Sequence, residues 1–404
     1  MQLADSVFMF VATMLVWLMT PGIALFYGGM VRSKNVLNTA MHSIMPMAVI
    51  SILWVVIGYS LSFSPGNMIL GGFDWIGLKG VGFEPGPYSD TIPHNLFMLF
   101  QMTFAVLTVS IIAGGIAERM KFSAFLIFSI LWSLFVYAPV AHWVWGGGWL
   151  AELGTLDFAG GNVVHISSGV AGLVLSIILG KRKSADSSSP HNLPLTLLGA
   201  ALIWFGWYGF NVGSALTIDE VAMNVFVNTA VASAAGVIGW LLIENIVNKK
   251  PTMLGALSGA IAGLVAITPA CGFVTPAASI IIGLIGGLAC FWGVSSLKSK
   301  FGYDDTLDAF GLHGIGGTWG GIATGLFATT SVNEGAANGL FYGGFDLFWK
   351  QLVAIIATYI FVAVVTFIIA KVVNLFVSLR VNEEDESLGL DLTLHGEKAY
   401  NESI

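Results

Sequence analysis

Apolar runs follow one another almost without pause from the first residues of this 404-residue chain to Leu379. Eleven can be marked, roughly at 6–30, 39–63, 94–116, 122–142, 161–180, 194–213, 221–246, 252–269, 275–295, 308–329 and 346–378. A run of about 20 apolar residues is what a helix needs to cross the hydrocarbon core of a bilayer. Inside that core no water satisfies backbone N–H and C=O groups, so only helices and closed barrels span it. The runs do not alternate between polar and apolar residues, which argues against a barrel. Charged residues make up 10% of the chain, against about 25% in soluble domains. The expected fold is therefore an all-α polytopic membrane protein, one bundle of eleven transmembrane helices without a separate soluble domain before Leu379.

The connecting charges set an orientation. Arg32, Lys34, Arg119, Lys121, Lys181, Arg182, Lys183, Lys249, Lys250, Lys298 and Lys300 fall on alternate loops. With Lys371, Arg380 and Lys398, 14 of the 16 basic residues share one side, and only Lys79 and Lys350 lie opposite. The positive-inside rule makes the crowded side cytoplasmic. The N-terminus is then outside and the C-terminus inside. Acidic residues collect on the outer loops at Asp74, Glu84, Asp90, Glu152, Asp157, Asp219, Glu220 and Glu334, an arrangement suited to concentrating a cation. The first apolar run is too long for the core of a signal peptide and reads as a span. Cys271 and Cys290 lack metal-ligand spacing and read as small packing residues. No phosphate-binding loop is present, which argues against an ATP-driven pump.

Two histidines stand out against this background: His165 in GGNVVHISSGVAGL and His313 in DAFGLHGIGGTWGGIATGL. Ionisable groups inside a membrane are costly and usually mark a pathway or a proton relay. Histidine is the side chain that gains or loses a proton near neutral pH. The competing readings are a pair of neutral imidazoles that only fixes helix packing, and a metal pair. The metal reading lacks ligands, because neither motif carries another His, Cys or Glu beside the imidazole and a catalytic metal needs about three. The eleven runs divide as five plus five plus one, with one histidine in the fifth and one in the tenth. Units of five spans related by inversion are a transporter plan. His165 sits near the outer start of its run and His313 near the inner start of its own. They can meet only if the segments before them dip into the bilayer.

Small residues and aromatics supply the remaining pattern. Gly255, Gly259 and Gly263, Gly316 with Gly320, and Gly317 with Gly321 recur at four-residue spacing, which lets helix backbones approach closely in lipid. In LIWFGWYGFNVGS, Trp204, Trp207, Phe210 and Ser214 share one helix face. Phe100 and Phe104 share another, and HWVWGGGW carries Trp143, Trp145 and Trp149. Interfacial tryptophans often form a membrane-anchoring belt. The sharper reading is a vestibule whose indole faces attract an ammonium-like ion by roughly 0.5–2 kcal/mol. Facing phenylalanines would either form a hydrophobic constriction or simply pack.

Taken together, LDFAGGNVVHISSGVAGL, GWYGFNVGS, LGALSGAIAGLVAITPACGFV and FGLHGIGG resemble the signatures of the ammonium transporter (Amt/MEP/Rh) family. PGIALFYGGMVRSKNVL near the start and GLDLTLHGEKAY in the tail fit it too, so the resemblance runs through the whole chain. It favours the bacterial or archaeal Amt branch. It implies two inverted five-helix repeats plus a final helix, a homotrimer in the plasma membrane, and one narrow hydrophobic pore per subunit without a cofactor. By the same resemblance, Trp145 and Ser214 form an outer recruitment site, with Phe100 bordering the vestibule. Phe104 and Phe210 form a stacked gate, Trp207 lines the pore, and His165 and His313 are twin histidines acting as a proton relay. Asp157 resembles a buried aspartate of the family, read here as a helix cap with direct ion binding as the alternative.

The implied mechanism follows from energetics. A bare cation at the bilayer centre costs from about 2.5 to 17 kcal/mol, whereas ammonium can shed its proton and cross as ammonia. If the proton follows along the histidines, transport is electrogenic. If it returns outside, the protein is an ammonia channel. An ammonium sensor is a third outcome. The expected division is a membrane domain over 1–380 and a cytoplasmic tail over 381–404. The acidic composition of that tail suggests a solvated end, while the resemblance implies a docked regulatory segment able to meet a PII-type signalling protein.

Overall fold

The computed structural model describes residues 1–183 and 190–400. Among them, nine helices are long and apolar enough to cross a membrane: α1 (Leu3–Met30), α2 (Ser33–Phe63), α3 (His94–Ile116), α4 (Phe122–Leu153), α5 (Gly161–Leu179), α6 (Leu193–Gly213), α7 (Glu220–Asn248), α9 (Pro276–Phe301) and α11 (Phe345–Phe376). Two further apolar runs are also helical but fall short of that mark. One, α8 (Met253–Ile267), has only 15 residues. The other, α10, covers 310–327 and is rich in glycine. The chain is thus a multi-pass helical membrane protein. Two short helices, α12 (Glu383–Leu388) and α13 (Leu390–His395), end the described chain. A small antiparallel hairpin of β1 (Pro85–Gly86) and β2 (Ser89–Pro93) lies between α2 and α3.

Helix starts follow local chemistry. The side chains of Asn192, Asp219, Thr252 and Thr275 accept the free amides of Leu195, Ala222, Gly255 and Ala278 at the starts of α6, α7, α8 and α9, the usual way a helix satisfies its first N–H groups. The close approaches use glycine. A Cβ on Gly199 of α6 would lie 2.2 Å from the Phe26 nitrogen of α1, and one on Gly263 of α8 would lie 2.2 Å from the Ala232 carbonyl of α7. This is the small-residue packing by which helices associate in lipid.

Among the described residues five helical turns are π-helical, and two of them, Gly161–Ile166 and Phe310–Gly314, carry the histidines. Such turns cluster at functional sites because the extra residue re-aims a side chain. Here they open α5 and α10. The segments before them, 154–160 and 302–309, run into the protein as irregular backbone, which is tolerated at membrane depth only where protein buries it. Gly169 and Gly314 then let the two helices cross, since a Cβ on Gly169 would meet the Gly314 nitrogen at 2.4 Å.

The tail is docked on the basic ends of the helices and is not a solvated end. Asp391 Oδ1 accepts the Asn38 amide at 2.8 Å, and the Leu390 amide donates to Asn35 Oδ1 at 2.8 Å. The carboxylate of α13 therefore serves the first turn of a helix more than 350 residues earlier in sequence. Asn35 passes the connection to Glu118, which pairs with Arg32 and Arg182; Arg182 pairs in turn with Asp304 at 2.9 Å. Burial pushes Asp304 up, but hydrogen bonds from Arg182 and the charge of Arg119 hold it down at about 2. Arg119 is fully buried and donates to the Gly115, Ala117 and Asp304 carbonyls and to the Thr306 hydroxyl. Desolvation lowers its guanidinium to about 10.

Candidate functional site

On the face opposite the basic loops a vestibule of about 270 Å³ opens between α3, α4 and the end of α6. Its wall is Tyr88, Phe97, Gln101, Phe104, Val144, Trp145, Phe158, Ser214 and Leu216. Trp145 is fixed by its indole N–H, which donates to the Asp157 carbonyl at 2.9 Å. Ser214 sits at the C-terminal cap of α6, and its hydroxyl donates to the Phe210 carbonyl at 2.8 Å. The oxygen keeps acceptor capacity for an N–H donor in the cavity.

The floor of the vestibule is a phenylalanine pair. Phe104 and Phe210 stack with centroids 4.3 Å apart and planes at 27°. Trp145 stands edge-on to Phe104, at 5.9 Å and 87°. Phe100 is fully buried behind Phe104, where it packs on Gly213, and does not reach the vestibule wall. Trp143 and Trp149 pack against each other and Trp143 donates to the Ile69 carbonyl, so of the three loop tryptophans only Trp145 faces the cavity.

Below the pair lies a second cavity, of about 20 Å³, lined by Met19, Ile23, Phe26, Tyr27, Leu107, Ile111, His165, Ile203, Trp207, Ile261, Leu312 and His313. About one molecule the size of water fits such a space. His165 Nδ1 and His313 Nδ1 are 3.1 Å apart, so one ring donates and the other accepts. The two rings share one hydrogen bond between equivalent nitrogens, so an additional proton on the pair can pass from one Nδ1 to the other without either ring moving, one ring being cationic and the other neutral before and after the transfer. His165 is fully buried, and its Nε2 has no partner among the described residues. Trp207 stacks on His165 at 5.3 Å and 23°, and Phe210 stacks on it at 5.8 Å and 25°. Trp207 turns its own N–H away from the cavity, to the Thr268 hydroxyl at 3.0 Å.

Asp157 is not a surface acid of the outer loops. It is 6% exposed, because its carboxylate is taken up by the chain itself. Oδ1 accepts the amides of Gly160 and Gly161, and Oδ2 those of Asn162 and Val163, at 2.6–3.4 Å. Gly160 adopts φ +120° to make this loop, a conformation that side-chain-bearing residues avoid. Burial raises the carboxyl, and the four amides oppose that rise. The same device precedes the second histidine. Asp305 accepts the amides of Ala309 and Phe310 at 3.1 and 2.8 Å and lies eight residues before His313, as Asp157 lies eight before His165. Sequence reasoning missed Asp305, although the repeated Asp–His interval was there to read. It also missed Phe97 and Gln101, which share the α3 face of Phe104 at spacings of four and three and were legible from it, and Tyr88 and Phe158, which reach the vestibule from the β1–β2 turn and the segment before α5. Among the described residues no group of three or more His, Cys, Asp or Glu side chains is placed to hold a metal ion.

Comparison with known proteins places the whole chain and its fold in one family. The model of the Ammonium Transporter Family matches residues 7–400. The chain is 73% identical over 404 residues to the ammonium transporter of Bacillus subtilis (strain 168), covering 100% of both chains. Its fold is similar to the crystal structure of Saccharomyces cerevisiae Mep2, with a TM-score of 0.89, 37% identity and coverage of 95% of this chain and 91% of that one. It is also similar to a structure described as a sensor Amt protein, with a TM-score of 0.88, 28% identity and coverage of 97% and 98%.

Proposed function

Because the chain belongs to the ammonium transporter family, we propose that it takes up ammonium across the plasma membrane by recruiting the cation, removing its proton and passing ammonia through the narrow cavity. The observation that carries this reading is the abrupt change across the phenylalanine pair. Above it lies a vestibule of about 270 Å³ with exposed π faces, and below it a cavity of about 20 Å³ with apolar walls. A hydrated cation fits the first and not the second. Trp145 supplies an indole face and Ser214 an acceptor oxygen, which together favour an ion with N–H donors over potassium. Phe104 and Phe210 strip its water. Entering as a cation then costs several kcal/mol, and deprotonation removes that cost.

The proton needs its own route, and the shared hydrogen bond of His165 and His313 supports a relay. One proton carried per ammonia moves net charge, so the membrane potential contributes about 2.3 kcal/mol per 100 mV. Uptake is then electrogenic. The architecture behind it is two inverted five-helix repeats plus a final helix, eleven in all. Support comes from the matched Asp–His devices at α5 and α10 and from a helix in each of the eleven apolar runs. The protein works as a homotrimer with its N-terminus outside and its tail, 381–404, in the cytoplasm beneath the membrane domain over 1–380. A PII-type signalling protein acting near the docked tail would complete the regulation.

The test is current on the reconstituted protein under an ammonium gradient, with potassium as control. Saturable current for ammonium alone supports electrogenic transport. Ammonia flux without current supports a gas channel. Absence of both supports the sensing role suggested by the similarity to the sensor Amt protein.

A further inference from the structure

The last long helix, α11, stands outside the two five-helix repeats proposed above, yet it touches the approach to each histidine. One stripe of it, at four-residue spacing, carries Gln351, Ile355 and Tyr359. Gln351 is fully buried. Its Oε1 accepts the Leu156 amide at 2.8 Å, and its Nε2 donates to the Leu156 carbonyl at 2.7 Å and to the Gly321 carbonyl of α10 at 3.4 Å. A side-chain amide can serve both the N–H and the C=O of one residue, which a carboxylate or a thioether cannot. Leu156 directly precedes Asp157 in the irregular segment before α5, where no helix ladder satisfies the backbone. Ile355 packs on α10, where a Cβ on Gly321 would lie 2.9 Å from its Cδ1. Eight residues beyond Gln351, the Tyr359 hydroxyl lies 2.8 Å from the Thr318 hydroxyl and 3.3 Å from the Gly314 carbonyl. Thr318 donates to the same carbonyl at 2.7 Å. Gly314 follows His313 and closes the π-helical turn that carries it.

Resting on the transport reading above, we infer that Gln351 and Tyr359 are positioning residues for the histidine pair: α11 holds the starts of α5 and α10 against one element, so that the two Nδ1 atoms face each other. The tolerance is small. The nitrogens are 3.1 Å apart, and a contact stretched to about 3.6 Å is no longer a hydrogen bond. A drift of about 0.5 Å between the two helix starts therefore breaks the pair. Both starts are π-helical and follow irregular backbone, so their own chain does not fix them as a regular helix would. Neither Gln351 nor Tyr359 lines the cavity of the histidines, and both act through backbone. Their reach differs. Leu156 adjoins Asp157, whose carbonyl also holds Trp145, so Gln351 bears on recruitment as well as on the relay. The Tyr359 contacts lie on α10 and bear on the relay alone.

The experiment compares Tyr359→Phe, Gln351→Glu and Gln351→Met with Thr366→Val as the control. Thr366 lies seven residues beyond Tyr359 on the same helix and accepts the Trp132 indole N–H of α4 at 3.0 Å, with both side chains fully buried. The readings are ammonium current of the reconstituted protein, thermal unfolding, and solid-state NMR of protein carrying isotope-labelled histidine. The Nδ1 signals of the pair are assigned by their loss in His165→Asn and His313→Asn. Tyr359→Phe is expected to lower maximal current by at least about 5-fold, against roughly 100-fold for a 1 Å misplacement of a reacting pair, with half-saturation unchanged. Gln351→Met lowers the current likewise and also raises half-saturation. Gln351→Glu keeps the acceptor and, when ionised, lacks the donor, so it falls between native protein and Gln351→Met. All three move the Nδ1 signals. Thr366→Val lowers the unfolding temperature and leaves current and signals at native values. Native current with unmoved signals in Tyr359→Phe and Gln351→Met overturns the inference and leaves the transport reading standing. An equal loss of current in Thr366→Val also overturns it and reduces α11 to packing. If Gln351→Met does not assemble, Tyr359→Phe and Gln351→Glu decide by the same criteria. If the native protein moves no ammonium, the transport reading fails and the Nδ1 signals alone decide whether α11 aligns the pair.

Discussion

At the residue scale, the site divides into groups whose type is legible in the sequence and groups whose position is not. His165, His313 and the Trp207–Phe210 face stand out because polar and aromatic side chains at fixed spacing are conspicuous in apolar helices. The same helical spacing places Phe100 with Phe104, yet one turn separates a gate residue from the packing behind it. Trp145→Leu removes a π face and keeps the volume apolar, so the ammonium half-saturation should rise by about 2- to 30-fold, with maximal current changed less. An equal fall in maximal current at unchanged half-saturation would place Trp145 after recruitment. Asp157 makes a different prediction. Its carboxylate serves four buried amides, and each left unsatisfied costs about 1–3 kcal/mol. Asp157→Ala should therefore cost at least about 3 kcal/mol and lower the unfolding temperature before any effect on recruitment is read. Native thermal stability with a selective loss of ammonium affinity would instead make Asp157 an ion ligand.

At the element scale, the sequence shows where helices run but not how deep they begin. Hydropathy reports composition along a run, and irregular backbone leading into it is equally apolar. The stretch FAGGNVV between Asp157 and His165 reads as the approach to a span. It is in fact a capped π-helical start that brings His165 to His313. What permits the meeting is the crossing of α5 and α10 at Gly169 and Gly314. Gly169→Val puts branched carbon where a β-carbon would already lie only 2.4 Å from the Gly314 backbone nitrogen. Backbone cannot yield as a flexible side chain can, so the helices must part, at a cost of about 1–3 kcal/mol or more. The expected outcome is a lower unfolding temperature together with loss of ammonium current, and normal values for both would show that the crossing tolerates bulk. The docking of the tail escapes a reading by composition for a related reason. Acidic composition describes an isolated segment, and it says nothing of the helix start at Asn38 that needs the carboxylate of Asp391.

At the scale of the whole molecule, one polar network joins the tail, the α3–α4 corner and the loop that leads to His313. Its Arg182–Asp304 pair has a definite pH signature. The Asp304 carboxyl lies at about 2, below the ordinary value of 3.8. A depressed carboxylate contributes its full stability above the unfolded value and loses it as pH falls through the folded one. Hydrogen-exchange protection factors in 302–309, which remove the pH dependence of the intrinsic rate, should fall as pH drops from about 4 toward about 2; protection that holds unchanged down to about 2 would show that the Arg182–Asp304 pair contributes nothing to this loop. The central claim, however, is that a proton and an ammonia molecule part at the gate and that the paired imidazoles carry the proton. The most direct test is current, pH dependence and potassium exclusion in His165→Asn and His313→Asn, each checked for native assembly. Asparagine keeps polarity and approximate size but takes no proton near neutral pH. The account predicts that either change abolishes ammonium current or its selectivity over potassium, because a relay of two stations fails when one is lost. Two variants that conduct ammonium with native current, native pH dependence and full potassium exclusion would contradict it and reduce the pair to a packing contact.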